Sequence, residues 1–162
     1  DTFDDQFARL YLGGNGIAVR LLYDRLQPGI DAFDPSNCVV LAVGPGHTLR
    51  ETATKMTEKG TGAALVFDDE SPGPRIITER DILNAVGTGK DADSEKVGDH
   101  MSDSVISAAP GWSLEQAAEE MVQRGIRHLV VVDRGELVGV LSMRDIVRCW
   151  TQVGATSSMT PP

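Results

Sequence analysis

The feature that most restricts what this chain can fold into is that its second half repeats its first. Sliding the sequence against itself by about 65 positions sets Pro45-Gly46 on Pro110-Gly111, Leu49 on Leu114, Ala53 on Ala118, Met56 on Met121, Gly60 on Gly125, Val66 on Val131 and Asp68 on Asp133. After a one-residue change in a turn, Thr78-Glu79-Arg80-Asp81-Ile82 faces Ser142-Met143-Arg144-Asp145-Ile146. A chain of 162 residues, 41% of them hydrophobic, fits one compact domain or two half-domains sharing a core. The repeat favours two copies of one small unit.

Each copy predicts the same run of elements. A short apolar strand, Cys38 to Val43 or Ser104 to Ala108, ends at a Pro-Gly turn. Thr48 and Ser113 stand where a helix N-cap belongs, with Glu51 and Gln116 three residues later as capping-box partners. In the second helix Leu114, Ala117, Ala118, Met121 and Val122 recur at helical spacing, and Gly60 and Gly125 supply the stops. Two apolar strands follow, Ala63 to Phe67 and Arg75 to Ile77, or His128 to Val132 and Leu137 to Leu141. Their consecutive apolar residues imply cover on both faces. A last helix opens at Thr78 or Ser142, both N-cap types. One β-α-β-β-α unit alone leaves an apolar sheet face bare, so two copies are expected to pack sheet to sheet as a pseudo-twofold α+β body.

The residues that close each copy carry a family resemblance. Gly125-Ile126-Arg127-His128-Leu129-Val130-Val131-Val132-Asp133 followed by Leu137-Val138-Gly139-Val140-Leu141-Ser142-Met143-Arg144-Asp145-Ile146 resembles the second half of a CBS domain. Gly62-Ala63-Ala64-Leu65-Val66 with Ile76-Ile77-Thr78-Glu79-Arg80-Asp81-Ile82-Leu83 is similar in the first copy, so the likeness covers about residues 38 to 150. Paired CBS repeats form a Bateman module. The resemblance implies a cleft between repeats that takes AMP, ADP, ATP or S-adenosylmethionine, and association of two modules as a homodimer.

The residue types give that cleft a physical basis. A strand ending in Ser or Thr that opens a helix presents a hydroxyl and backbone amides at the positive end of the helix dipole, a place suited to phosphate. One turn on, Asp81 or Asp145 is positioned to accept hydrogen bonds from ribose hydroxyls. Arg80 and Arg144 add charge nearby, Arg127 and His128 lie at the mouth of the preceding strand, and Val105, Ile106 and Ala108 offer apolar support for adenine. The candidate binding residues are therefore Thr78, Arg80, Asp81, Val105, Ile106, Ala108, Arg127, His128, Ser142, Arg144 and Asp145. Ser or Thr with Asp three residues later is also an ordinary helix-start signature, and its recurrence in matched copies is what favours the site reading. The second copy is the stronger expectation. In the first, Arg75 after Pro74 stands where Gly139 stands in the second, a cation that either closes that site or contacts phosphate.

Other chemistries lack support in the sequence. The net charge of -9 argues against general affinity for nucleic acid, which draws on clustered Lys and Arg. Cys38 and Cys149 match no metal-binding or disulfide spacing, and His47, His100 and His128 share none either, so no metal site is expected. Trp112 and Trp150 suit packing of helix ends better than stacking on a base, and the acids Asp91, Asp93, Glu95, Asp99 and Asp103 are expected to form a solvated face. No apolar run approaches the roughly 18 residues of a membrane span, and no secretory leader is evident, so cytoplasmic residence without membrane attachment is expected.

Residues 1–37 stand outside the repeat. Gly13-Gly14-Asn15-Gly16 lacks the preceding strand and third glycine of a dinucleotide loop, and two helices, about Phe3 to Leu12 and Ile17 to Leu26, fit better. Tyr11-Leu12-Gly13-Gly14-Asn15-Gly16-Ile17-Ala18, Leu21-Leu22-Tyr23-Asp24, Pro28-Gly29-Ile30-Asp31 and Asp34-Pro35-Ser36-Asn37 resemble the N-terminal region of tungsten-containing aldehyde:ferredoxin oxidoreductases, to about Pro45. That family holds an iron–sulfur cluster on four cysteines, and this chain has two. The expected organisation is a helical segment 1–37, repeat 1 over 38–87, a connector over 88–103, repeat 2 over 104–150 and a disordered tail 151–162. The expected function is a ligand-sensing regulatory module rather than an enzyme, requiring no cofactor, binding an adenine nucleotide and acting on an associated enzyme. The alternative is a ligand-free dimerisation or interaction module accessory to an aldehyde oxidoreductase.

Overall fold

The computed structural model describes residues 40–70, 73–109, 112 and 114–147. The expected N-terminal helices, Cys38, the Ser113 cap, Cys149, Trp150 and the tail lie outside these residues. The first repeat comprises β1 (Ala42–Val43), α1 (Leu49–Lys59), β2 (Ala63–Val66), β3 (Arg75–Thr78) and α2 (Glu79–Gly87). The second comprises β4 (Ser107–Ala108), α3 (Leu114–Arg124), β5 (His128–Asp133), β6 (Glu136–Ser142) and a helix, α4, described over 143–147. Each sheet has three strands in sequence order. The first two run parallel across the helical crossover, and the last two form an antiparallel pair.

Local chemistry sets the element ends. Thr48 Oγ1 accepts from the Glu51 amide at 3.1 Å while Glu51 Oε2 accepts from the Thr48 amide at 2.8 Å, closing the capping box that starts α1. The carboxylate that accepts this backbone hydrogen bond is held below its usual range. Gly60 and Gly125 take left-handed φ values of 65° and 64°, and in both repeats the residue after the glycine closes the helix end: Thr61 N–H reaches Met56 O, and Ile126 N–H reaches Met121 O. The strand β4 is shorter than the apolar run that announces it. Only the end of that run enters the ladder, because Ser104, Val105 and Ile106 form the wall of a cleft before pairing begins.

Alternation along β2 and β5 builds the layers. Ala64 and Val66 face Leu49, Met56 and Ile77 under the helices of the first repeat, while Ala63 and Leu65 face the other way, toward Ile76 and Val130. Leu129 and Val131 likewise pack with Met121, Leu141 and Ile146. The cluster between the sheets is built from repeat-equivalent residues: Val40 and Val105, Leu65 and Val130, Phe67 and Val132, Ile76 and Val140. The body is thus helices, sheet, sheet, helices, with the inter-repeat cluster at its centre. Leu65 is fully buried there, and burial of such a side chain is worth about 1.5–3 kcal/mol.

The connector belongs physically to the first repeat. Glu95 and Ala92 carbonyls accept from the first amides of α1, Leu49 and Arg50, and Val97 is fully buried in the first core. Its acids nevertheless form a largely solvated face, with Asp91, Asp93, Asp99 and Asp103 exposed and Glu95 half-buried. Asp93 pairs with Arg50, Glu95 pairs with Lys90 at 3.7 Å and with His100 at 2.6 Å, and Asp103 pairs with Arg75 at 3.1 Å. The hydrogen bond from His100 holds the Glu95 carboxyl below its usual range, with Lys90 acting in the same sense against partial burial. Further on, Ser102 exchanges two backbone hydrogen bonds with Ile76, extending the sheet beside β3.

Candidate ligand-binding cleft

Where β3 passes into α2, a cleft opens between the repeats. It has an open mouth and, with the space there, a volume of about 790 Å3. The first repeat contributes Ile76, Thr78, Glu79, Arg80 and Asp81; the connector and second repeat contribute Ser102, Ser104, Val105, Ile106, Gly125, Ile126, Arg127, His128 and Val130. Apolar residues form the floor and ionisable residues the rim, a division suited to a ligand with one flat apolar end and one anionic end.

The Thr78–Asp81 pair is held by its own bonds. Asp81 Oδ2 accepts from the Thr78 amide and from the Thr78 hydroxyl, both at 2.7 Å. The hydroxyl proton is therefore directed to the carboxylate, and the pair offers a ligand mainly acceptor atoms, as a sugar diol requires. The first amide of α2, that of Glu79, donates to the Gly62 carbonyl at 2.9 Å and so does not face a ligand. This is a departure from the simple expectation of several free amides at the helix start.

The bases arrive from both repeats. Arg80 Nη1 donates to the Gly125 carbonyl at 2.8 Å, a bond that crosses from one repeat to the other. Arg127 Nη1 approaches Glu79 Oε1 at 3.4 Å, also across the interface. His128 begins β5 beside Ser142 of β6, and burial pushes its imidazole below the ordinary value of 6.5. Glu79 and Asp145 oppose that shift, and Arg127 and Arg144 reinforce it. A phosphate brought alongside adds negative charge and draws the imidazole toward its protonated form.

Of the eleven candidate residues, the cleft gathers Thr78, Arg80, Asp81, Val105, Ile106, Arg127 and His128. Ala108 is not among its lining residues: it is 2% exposed and packed in the core of the second repeat. Ser142, Arg144 and Asp145 also lie outside the lining. They form the repeat-equivalent corner, where Ser142 amide and hydroxyl donate to Asp145 Oδ2 at 2.9 and 2.6 Å and the Asp145 amide returns a bond to Ser142 Oγ at 3.2 Å. The opposing wall, which the repeat assigns to residues 37–39, is beyond the described residues. The cleft that the described residues complete is the one centred on the first copy, while the corner of the second copy, which the sequence favours, faces residues beyond those described. Arg127 and His128 follow the second repeat in sequence, yet the inter-repeat packing sets them against Thr78 and Asp81.

Sequence reasoning missed Glu79, Ser102 and Ser104, which the cleft includes. Glu79 sits inside the Thr-Glu-Arg-Asp motif, and its signal was the contrast with Met143 at the matching position. Arg75 is not part of the lining; its pairing with Asp103 ties β3 to the connector. His47 belongs to a turn, accepting from the Gly44 amide at 3.0 Å, and Trp112 packs beside the core of the second repeat. Among the described residues, no group of His, Cys, Asp and Glu is arranged to hold a metal ion, and no helix is long and apolar enough to cross a membrane.

Comparison with known proteins agrees with this architecture. The CBS domain family matches residues 97–151, and the N-terminal domain of aldehyde ferredoxin oxidoreductase matches residues 1–74, reaching into the first repeat. A CBS domain-containing protein from Bacillus subtilis is 33% identical over 129 residues, which cover 78% of this chain and 91% of that protein. A solved structure of a putative signal-transduction protein with CBS domains from Burkholderia ambifaria superposes with a TM-score of 0.69 at 27% identity, covering 89% of this chain and 98% of the other. A CBS domain protein from Pyrobaculum aerophilum, complexed with AMP, is 37% identical with a TM-score of 0.58, covering 65% and 82% of the two chains. The chain spans 61% and 39% of the lengths of two archaeal relatives, from Methanopyrus kandleri and Methanocaldococcus jannaschii. The duplicated β-α-β-β-α body, the cleft between its halves and these relatives together establish that the chain belongs to the CBS-domain family.

Proposed function

We propose that this chain is a regulatory module that binds an adenine nucleotide in the cleft between its repeats, with AMP, ADP, ATP and S-adenosylmethionine as the candidate ligands. The observation that carries this reading is the meeting, in one cleft, of the Thr78–Asp81 pair from the first repeat with Arg127 and His128 from the second. Asp81 takes the ribose hydroxyls, Val105 and Ile106 support the base, and Arg80, Arg127 and His128 receive phosphate. Ser142, Arg144 and Asp145 form the corresponding corner of a second, twin position. The AMP complex of the Pyrobaculum aerophilum relative supports the ligand class.

The action is regulatory rather than catalytic. A ligand that contacts both repeats favours one relative packing of them, and an associated enzyme or a second copy of the chain senses the change. We place the module in the cytoplasm as a homodimer, with the exposed Leu83, Val86 and Val147 available to the partner copy. Isothermal calorimetry with the four candidate ligands tests the proposal. Heat from at least one of them, lost in Asp81→Ala, is expected; no heat from any ligand refutes it.

A second reading is favoured by the oxidoreductase match over residues 1–74. In it the repeats serve as an assembly module accessory to an aldehyde oxidoreductase, without a ligand. That reading expects a stable dimer whose melting temperature ignores nucleotides.

A further inference from the structure

We propose that Glu79 is a specificity-determining residue that makes the cleft discriminate against ligands carrying more than one phosphate. This rests on the reading of the cleft as a nucleotide site and deepens it. Glu79 lines the cleft, and its Oε1 stands 3.4 Å from Nη1 of Arg127, so the guanidinium that faces an entering anion already has an acidic neighbour. The backbone fixes that neighbour in place, since the Glu79 amide donates to Gly62 O at 2.9 Å. Gly62 also makes room for the side chain: a Cβ there would stand 3.0 Å from Glu79 Oε2.

The repeat shows that this arrangement is particular to one side. Arg127 occupies the position equivalent to Gly62, and Met143 the position equivalent to Glu79. Even the backbone bond is duplicated, Met143 N–H to Arg127 O at 2.8 Å, so the scaffold is the same and only the charges differ. The pair at the cleft therefore crosses the repeats with a carboxylate on one and a guanidinium on the other. At the twin corner those positions hold a glycine and a thioether.

Glu79 acts on His128 as well as on Arg127, so a single phosphate already meets its field and each further phosphate adds to the repulsion. A second and third phosphate extend toward Arg127, where they compete with the Glu79 carboxylate for the guanidinium and are repelled by it. Glu79 and Arg127 have side chains 58% and 59% exposed, so solvent screens the effect and its expected size is about fivefold between one phosphate and three.

The test is calorimetric titration of adenosine, AMP, ADP and ATP, without divalent cations, into the whole chain and into Glu79→Gln and Glu79→Met, with melting temperatures recorded to confirm folding. Affinity for ATP relative to AMP is expected to rise about fivefold in both variants, with ADP between, and the gain is expected to shrink as salt is added. An unchanged ratio of AMP to ATP affinity, or an equal shift for all four compounds, overturns the role of Glu79 while leaving the nucleotide site intact. Binding of none of the four to any of the three proteins overturns both.

Discussion

The two repeats share a scaffold and differ in their chemistry. Strand register, the glycine helix ends and the Thr/Ser–Asp corner recur in both. At the start of the middle strand, Gly62 and Ala63 in the first repeat are matched by the cleft residues Arg127 and His128 in the second, and the cleft residue Glu79 is matched by Met143. What duplication preserves is the set of residues that pack or cap. What it leaves free to diverge is the interface-facing start of each middle strand, so one scaffold carries an ionic cleft on one side and a different corner on the other.

The largest test of this comparison concerns what the repeats share. Leu65 is fully buried between the sheets opposite Val130, and Leu65→Ala is expected to cost about 3 kcal/mol of stability in denaturant unfolding. Because the cluster belongs to both halves, the unfolding should remain a single transition. Two separated transitions would show that the repeats are independent bodies joined by a linker.

Much of this fold was legible because local signals agree with tertiary needs. Thr48 with Glu51, Gly60 and Gly125 state their roles through backbone chemistry alone, and the unbroken apolar run Ala63 to Val66 states that both strand faces are covered. The composition of the cleft was half legible. Its residue types were found from the motif, but their grouping was not, because His128 shares a repeat and a strand pairing with Ser142 whereas packing across the interface places it in the cleft with Thr78. Ala108 was misassigned for a related reason: an apolar residue in a strand of unknown facing suits a base or a core equally, and pairing with Val131 turns it to the core. The connector acids were legible as a solvated face, but composition does not reveal that Arg50, Arg75, Lys90 and His100 come to meet Asp93, Glu95 and Asp103.

The next largest effect separates the two corners. Asp81→Asn is expected to weaken nucleotide binding about tenfold, as loss of one charged acceptor does, whereas Asp145→Asn changes it less than about threefold. Equal losses would show that both corners hold ligand alike. A smaller effect concerns the cores. Among the described residues, Thr52 Oγ1 is buried with no hydrogen-bond partner, while the equivalent Ala117 has no polar atom to satisfy. Thr52→Val should therefore raise stability by about 1 kcal/mol, read as a shift in denaturant midpoint. A loss instead would mean that the hydroxyl contributes to the first core.

The smallest effect is the pH dependence that His128 gives to the second repeat and Ala63 does not give to the first. Burial holds the folded pKa of His128 below its ordinary 6.5, so as pH falls the unfolded chain binds the proton first. The stability of the neutral, buried form is complete above that value and declines as pH falls through it toward the folded pKa. His128→Gln should flatten the melting temperature between about pH 7.5 and 5.5 relative to the parent chain. Glu95, held below its ordinary 4.5, acts in a lower window, where stability is lost as pH falls through its folded pKa.

The most direct test of the nucleotide cleft is a crystal structure of the chain grown with AMP. The account predicts density for one nucleotide between Val105 and Ile106 on one side and Thr78 and Asp81 on the other, with its phosphate beside Arg80 and His128. Full occupancy by AMP elsewhere on the chain, or a vacant cleft at saturating AMP, would contradict it.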